Sequence, residues 1–327
     1  GSGGNMMHAL IEDVFMKYFD NPILNQQTDS AILNMGSNDI AFTTDSFVID
    51  PIFFPGGDIG KLAVCGTVND LLVSGANPLY ISVSFIIEEG FPMKDLHLIV
   101  KSLANEAKKA GVAIVTGDTK VVNKGKCDKI FINTAGVGSL DHSHYQKSAS
   151  FKINAGDLIL INGTIGDHGM AVMNARESFN FKSNVQSDCA SLNHLIKEVT
   201  AHCPVKFMRD PTRGGVATVL NELAQNCNLG IEITESNLPI KKSVKAMCEL
   251  LGFDTLHIAN EGKVLMVIAE EHSQQALGIL KKNSLGKESR IIGKVVDNHH
   301  RRVILRNETG GNRIVESLSG DQLPRIC

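Results

Sequence analysis

Residues 81–122 read ISVSFIIEEGFPMKDLHLIVKSLANEAKKAGVAIVTGDTKVV. Their pattern changes period twice. The apolar run at 81–87 has the length and branching of a strand, and Glu88-Glu89-Gly90 turns the chain out of it. Leu96, Ile99, Val100, Leu103, Ala107 and Ala110 then recur at helical spacing, and Gly111 supplies a residue suited to a left-handed C-terminal cap. Val112–Val115 reads as a second, buried strand that runs into Thr116-Gly117-Asp118-Thr119-Lys120. A strand, a helix and a strand ending in polar residues point to a sheet with helices packed on it. In such folds, chemistry gathers just past strand ends.

Towards the N-terminus, 61–74 reads as a helix that is apolar on most sides and therefore buried. Asn69 and Asp70 interrupt it, and a carboxylate there is costly unless paired or bound to a cation. Before it, FFPGGDIG at 53–60 is too rich in glycine for regular structure. Residues 39–50 alternate as a strand stopped by Pro51, and 5–19 form a helix stopped by Asn21-Pro22. Gly1-Ser2-Gly3-Gly4 is either an added leader or a glycine loop able to lie against phosphates.

Towards the C-terminus, a strand at 130–135 closes the first half, and the polar run 141–150 marks a boundary. The second half reads as a strand at 158–162, a glycine turn Gly163–Gly169 opening into a helix, and helices near 191–202, 214–227, 241–251 and 272–283. Strands fall at 264–269, 290–296 and 302–305, and 306–322 reads as a polar strap. Arg209-Asp210-Pro211-Thr212-Arg213-Gly214-Gly215 precedes a helix whose first amides favour an anion.

A chain of 327 residues exceeds the size at which one core stops growing, so two domains are expected. The divisions fall at 1–150 and 151–310, followed by a mobile tail at 311–327. A formal net charge of -3 offers no footprint for nucleic acid or an anionic membrane. Apolar runs stop well short of the ~20 residues that span a bilayer, and no signal-peptide pattern opens the chain. Seven cysteines without paired spacings suit free thiols in a reducing compartment, which makes the cytoplasm the expected location.

Asp39, Asp45, Asp70 and Asp118 recur at strand ends, loops or helices of the first half, with Lys120 beside the last. Carboxylates converging with a lysine suit Mg²⁺ shared with a polyphosphate. Neither a G-x-x-x-x-G-K-[ST] loop nor a G-x-G-x-x-G fingerprint is present. The chain closes on Leu323-Pro324-Arg325-Ile326-Cys327. A thiol at the tip of a proline-stiffened arm can enter a pocket and leave it.

TTDSFVIDP (43–51), FFPGGDIG (53–60), CGTVNDLLVSGA (65–76), IIEEGFP (86–92), VTGDTKVV (115–122), RDPTRGG (209–215), ANEGK (259–263) and PRIC (324–327) together resemble the HypE family of hydrogenase-maturation carbamoyl dehydratases. That family belongs with aminoimidazole ribonucleotide synthetase, selenophosphate synthetase and thiamine monophosphate kinase. The resemblance covers essentially the whole chain. It implies an α+β, two-domain fold whose N-terminal sheet pairs with a second copy's into a dimeric barrel, with a C-terminal α/β sandwich.

The resemblance further implies ATP in a groove between the domains, with Gly3 and Gly4 in a lid over its phosphates. Asp45, Asp70 and Asp118 match positions holding Mg²⁺ and triphosphate, and Asp39 matches a metal position. Relatives often show an acidic pair where this chain has Asn38-Asp39, which weakens the Asp39 match. Asn69, Thr119 and Arg213 join the nucleotide set.

A carbamoyl group placed on Cys327 by a carbamoyltransferase, HypF, would be dehydrated to a thiocyanate, with Glu261 and then Lys120 as candidate bases. The cyanide would pass to iron on a HypC–HypD scaffold. Two other classes compete. A small-molecule synthetase or kinase of the same fold would keep the aspartates without needing a terminal Cys. A binding module would merely carry a metal or partner on its tail.

Overall fold

A computed structural model describes residues 9–19, 21–36, 39–140, 152–176, 183–307, 309–317 and 325–327. The helix expected at 5–19 is present over its described part, as a π-helical stretch, Ile11–Met16, continued by Lys17–Phe19. Gly3, Gly4, Asn38, the polar run 141–150, Leu323 and Pro324 lie outside the described residues.

The first half is one five-stranded sheet in the order β1-β2-β7-β5-β6. Its strands are β1 (Ala31–Asn34), β2 (Asp39–Phe47), β5 (Ala76–Glu88), β6 (Ala113–Val122) and β7 (Ile130–Leu140). Between β2 and β5 a two-residue hairpin, β3 (Phe53–Phe54) and β4 (Gly57–Asp58), turns the chain into helix α1 (Ile59–Val73). Asp58 starts α1 by accepting from the amides of Gly60 and Lys61, which satisfies two of the helix's open donors. Gly60 is required where α1 meets the next helix, α2 (Met93–Ala110), because a Cβ there would lie 2.4 Å from the Ile99 carbonyl. β5, α2 and the parallel strand β6 form the crossover unit read from 81–122, and Gly111 caps α2 at φ 70.

One expectation in this unit fails. Val112–Val115 is not a buried strand: Val115 is 58% exposed, and β6 is open to solvent at almost every position. The strand runs on through Thr116–Lys120 as the sheet's outer edge, pairing among the described residues with β5 alone, so the polar residues lie within it rather than past its end. Branched apolar residues fit an uncovered edge as well as a core strand, and only the missing neighbour tells them apart.

The second half is a seven-stranded sheet, ordered β14-β13-β10-β12-β8-β11-β9. Its strands are β8 (Leu158–Ile161), β9 (Val205–Arg209), β10 (Gly230–Thr234), β11 (Leu265–Ile268), β12 (Arg290–Val296), β13 (Val303–Arg306) and β14 (Asn312–Val315). β8 and β11 are buried on both faces. Among the described residues five helices pack around the sheet: α3 (Asp167–Ala175), α4 (Asn193–His202), α5 (Gly215–Cys227), α6 (Lys242–Leu251) and α7 (Glu270–Lys282). β14 corrects the reading of 306–322 as a strap, because it pairs antiparallel with β13 and buries Val315 completely. The largest core cluster runs from α1 and α2 through α3, α4 and α6, so the two sheets share one apolar seam. Ile326, one residue from the chain end, is part of it.

Candidate active site

Four carboxylates from four different segments face one another beside this seam. Asp29 precedes β1, Asp45 lies on β2, Asp70 on α1, and Asp210 just after β9. Burial raises the pKa of Asp70 well above the carboxylate range, and Asp45, Asp210 and Asp29 push it further. The Thr43 hydroxyl donates to its Oδ2 at 3.0 Å and works the other way. Asp210 is pushed up to about 8, by burial first and Asp29 next. Arg209 answers part of this charge by donating to Asp29 at 3.0 Å and pairing with Glu222. Arg213 faces Asp45 and lowers its pKa against the rise that burial causes.

Among the described residues, no three His, Cys, Asp or Glu side chains converge tightly enough to hold a metal by themselves. Mg²⁺ seldom uses an all-protein cage; it takes one or two carboxylates and completes its shell with phosphate oxygens and water. Oxygen-only donors carrying more negative charge than their burial tolerates fit such a shared cation.

Glu261 stands beside this cluster on the turn Ala259–Lys263. It is 3% exposed, its pKa is raised well above normal by burial and then by Cys189, Asp210, Asp188 and Asp45, and its Oε1 has no hydrogen-bond partner. The turn itself is fully tied. Asp188 accepts from the amides of Glu261 and Gly262, each at 3.2 Å, and from Lys263 Nζ at 2.8 Å. Gly262 leaves room for this clamp, since a Cβ there would lie 1.9 Å from the Asp188 carbonyl.

The terminal three residues dock against the segment after β2. The Val48 amide donates to the Cys327 carbonyl at 3.1 Å, and the Asp50 amide to the Arg325 carbonyl at 3.2 Å. Arg176 Nη2 also donates to that carbonyl, at 3.1 Å, and Arg325 pairs with Asp128 at 2.6 Å. The side chain of Ile326, 4% exposed, is the apolar plug. The tip therefore rests in the site rather than projecting as a free arm. Burial, then Glu261 and Asp45, push the Cys327 thiol up to about 12, while Arg213 pulls against them.

The structure thus gathers Asp45, Asp70, Arg213, Glu261 and Cys327. Asn69 lies close by, but its amide is spent on the backbone: Nδ2 donates to the Ala190 and Glu261 carbonyls, and Oδ1 accepts from the Leu192 amide. It ties α1 to the turn that carries Glu261 and to the segment at 190–192. Asp39 is six residues from Asp45 along β2, roughly 20 Å at strand rise, and accepts from Asn34.

Asp118, Thr119 and Lys120 sit on β6, three strands across from β2, which is about 14 Å. Strand register pairs Asp45 with Thr134, and Thr134 with Val83, on the helix-covered face. Asp118 and Lys120 are level with Ser84 and Ile86, so alternation turns them to the opposite face. Exposed there, Lys120 bonds Asp118 and lowers its pKa. One copy of the chain does not bring these two to Glu261.

Asp29, Asp188, Asp210 and His168 went unassigned in the sequence. Asp210 and His168 stood inside stretches already marked by glycines, the one local signal available for them.

The N-terminal and C-terminal domain models of the AIR synthase related proteins match residues 27–140 and 154–306. Carbamoyl dehydratase HypE of Escherichia coli K12 is 46% identical over 332 residues, spanning 100% of this chain and 98% of that one. The chain belongs to the HypE carbamoyl dehydratase family. Among solved structures, one of a HypE–HypF complex superimposes with a TM-score of 0.87 at 50% identity, covering 95% of this chain and 100% of that one. HypE in complex with ATP gives 0.84 at 43%, covering 100% and 98%. Thiamine monophosphate kinase from Aquifex aeolicus shares the fold, with a TM-score of 0.65 at 17% identity and coverage of 95% and 98%.

Proposed function

We propose that this chain is an ATP-dependent carbamoyl dehydratase acting on its own C-terminal cysteine, converting a carbamoyl group on Cys327 Sγ to a thiocyanate. The observation that carries the reading is an unpartnered, buried carboxylate oxygen on Glu261 beside a docked terminal thiol. A buried acceptor without a donor is costly, and an amide N–H on the sulfur would supply one.

The chemistry balances in two steps. The carbamoyl oxygen attacks the γ-phosphorus of ATP, ADP leaves, and one N–H proton passes to Glu261, leaving an O-phosphorylated isothiocarbamate, S–C(=NH)–O–phosphate. The C–O bond then breaks, and phosphate leaves carrying the second N–H proton as hydrogen phosphate, which forms S–C≡N. Burial makes Glu261 a stronger base than an ordinary carboxylate, as this transfer needs. Asp45 and Asp70 would hold Mg²⁺, with Asp210 close by and Arg213 facing the phosphates, and the cation would supply charge neutralisation at the transferring phosphoryl group.

A docked thiol with a pKa near 12 carries almost no thiolate, the nucleophilic form, so loading needs the tail out. The HypE–HypF complex of a relative supports HypF as the loading partner, and the HypC–HypD scaffold is the proposed acceptor of cyanide. The test is intact-mass analysis of the C-terminal peptide. The carbamoylated chain should lose one water on adding Mg²⁺ and ATP, and hydrolysis of ATP without that loss would refute the reading.

A second copy completes the site in this reading. The open face carries Phe42, Tyr80 and Ile86, each more than 40% exposed, and β6 is an edge unpaired among the described residues. Pairing two N-terminal sheets there would form the expected barrel and present Asp118 and Lys120 to the neighbouring chain. If so, inactive Lys120→Ala and Glu261→Gln chains mixed after refolding should regain about a quarter of wild-type activity per active site, since half of the chains sit in mixed dimers and one site of each is intact. Activity no higher than that of either variant alone would show that Lys120 is not supplied across a dimer.

A further inference from the structure

His168, at the start of α3, is fully buried, and the dehydration chemistry as derived does not use it. Its Nε2 lies 2.8 Å from the carbonyl oxygen of Ile326, the residue before the carrier cysteine. A carbonyl only accepts, so Nε2 carries the hydrogen. Burial lowers the pKa of the ring and keeps it neutral, which leaves Nδ1 as an acceptor. Nδ1 lies 2.8 Å from Ser187 Oγ, so that hydroxyl donates to it, while Oγ itself accepts from the Cys189 amide at 3.0 Å. The Ser187 amide donates to the Pro55 carbonyl at 2.8 Å, and the Phe54 ring meets the imidazole edge-on at 5.4 Å. The tautomer and the ring plane are thus both fixed, and the one donor left over is aimed at the tail.

We propose that His168 is a positioning residue that latches the tail, and that Ser187-Asp188 is a shared mount for both reacting groups. Through Ser187 the segment sets the imidazole that holds the Ile326 carbonyl. Through Asp188 it holds the amides of Glu261 and Gly262, which carry the base. Both reacting groups are referred to the same two residues, so their separation does not depend on how the wider domains breathe. Positioning of this kind matters because small displacements of a reacting group cost large factors in rate. The latch also sets the fraction of tail that is out, and so divides the chain between loading and dehydration.

This proposal rests on the carbamoyl dehydratase reading for its catalytic arm only. Full-length His168→Met keeps an apolar side chain of similar length without the donor, and His168→Gln keeps a donor near the position of Nε2. Timed iodoacetamide labelling without nucleotide, read by mass spectrometry at Cys327 and at the buried Cys65, reports tail release. In folded His168→Met, labelling at Cys327 should rise about fivefold, the weight of one net hydrogen bond, with no rise at Cys65. Single-turnover dehydration should slow, carbamoyl loading by the transferase should not, and His168→Gln should restore both.

Should His168→Met fail to fold, Ser187→Ala releases the tautomer and should raise Cys327 labelling about twofold. Unchanged Cys327 labelling, an equal rise at Cys65, or failure of His168→Gln to restore would overturn the latch. A wild-type chain that shows no dehydration would overturn the activity instead, and the labelling contrast would still decide the latch.

Discussion

In Glu261→Gln, dehydration of the carbamoylated chain falls by about 10²–10⁴, the usual worth of a positioned base, while binding of ATP is unchanged. The substitution keeps the shape of the side chain and removes only its capacity to take a proton. Its backbone bonds to Asp188 and Asn69 remain, so the turn stays in place. Because burial already disfavours the ionised carboxyl, a neutral amide is tolerated there, and thermal stability should hold or rise. Carbamoylated Cys327 should therefore accumulate in the presence of Mg²⁺ and ATP, visible as an intact C-terminal peptide that has not lost water. Dehydration within threefold of wild type would remove Glu261 from the reaction and leave its bare Oε1 without a role.

What the sequence made legible was local. The stripe along α2 and its Gly111 cap, the glycine turn into α3, and the strand at β8 depend on neighbours within one or two turns, and the chain pattern states them directly. β6 was open to misreading because Ile114 and Val115 have the branching of core residues while the chain leaves both exposed, and which strand ends at the sheet edge is not written in the local pattern. The site was legible in part. Asp45, Asp70, Arg213, Glu261 and Cys327 carried recognisable motifs, whereas Asp29 and Asp188 lie in irregular segments where an aspartate is usually a solvated surface group. Asn69 shows the limit of residue-by-residue reading, since the partners of its amide lie in two other segments, at Ala190 and Leu192 and at Glu261. None of these contacts has a period; each arises where segments distant along the chain meet, as Asn69 and Glu261 do.

The carboxylate cluster stores the other large effect. In Asp70→Asn, Mg²⁺-ATP-dependent dehydration should fall by about 10²–10³, comparable to losing one electrostatic group aimed at a transferring oxygen, yet the nucleotide-free chain should melt at a higher temperature. The sign follows from linkage. A carboxyl whose pKa is raised by folding binds its proton more tightly folded than unfolded, so stability is highest at low pH and declines as pH rises towards the folded value. For Asp210 that decline runs from 3.8 to about 8, and Asp70 shifts in the same direction for the same causes. Removing the Asp70 charge relieves Asp45, Asp210 and Asp29 together, so melting temperature should fall less steeply between pH 5 and pH 8 in the variant than in wild type. Added Mg²⁺ should stabilise wild type more at pH 8 than at pH 5, and should do so weakly in Asp70→Asn. Scanning calorimetry over that range, alongside ATP titration of the same samples, decides it. A variant that binds ATP normally and melts with the wild-type pH dependence would show that these carboxylates neither repel one another nor share a cation.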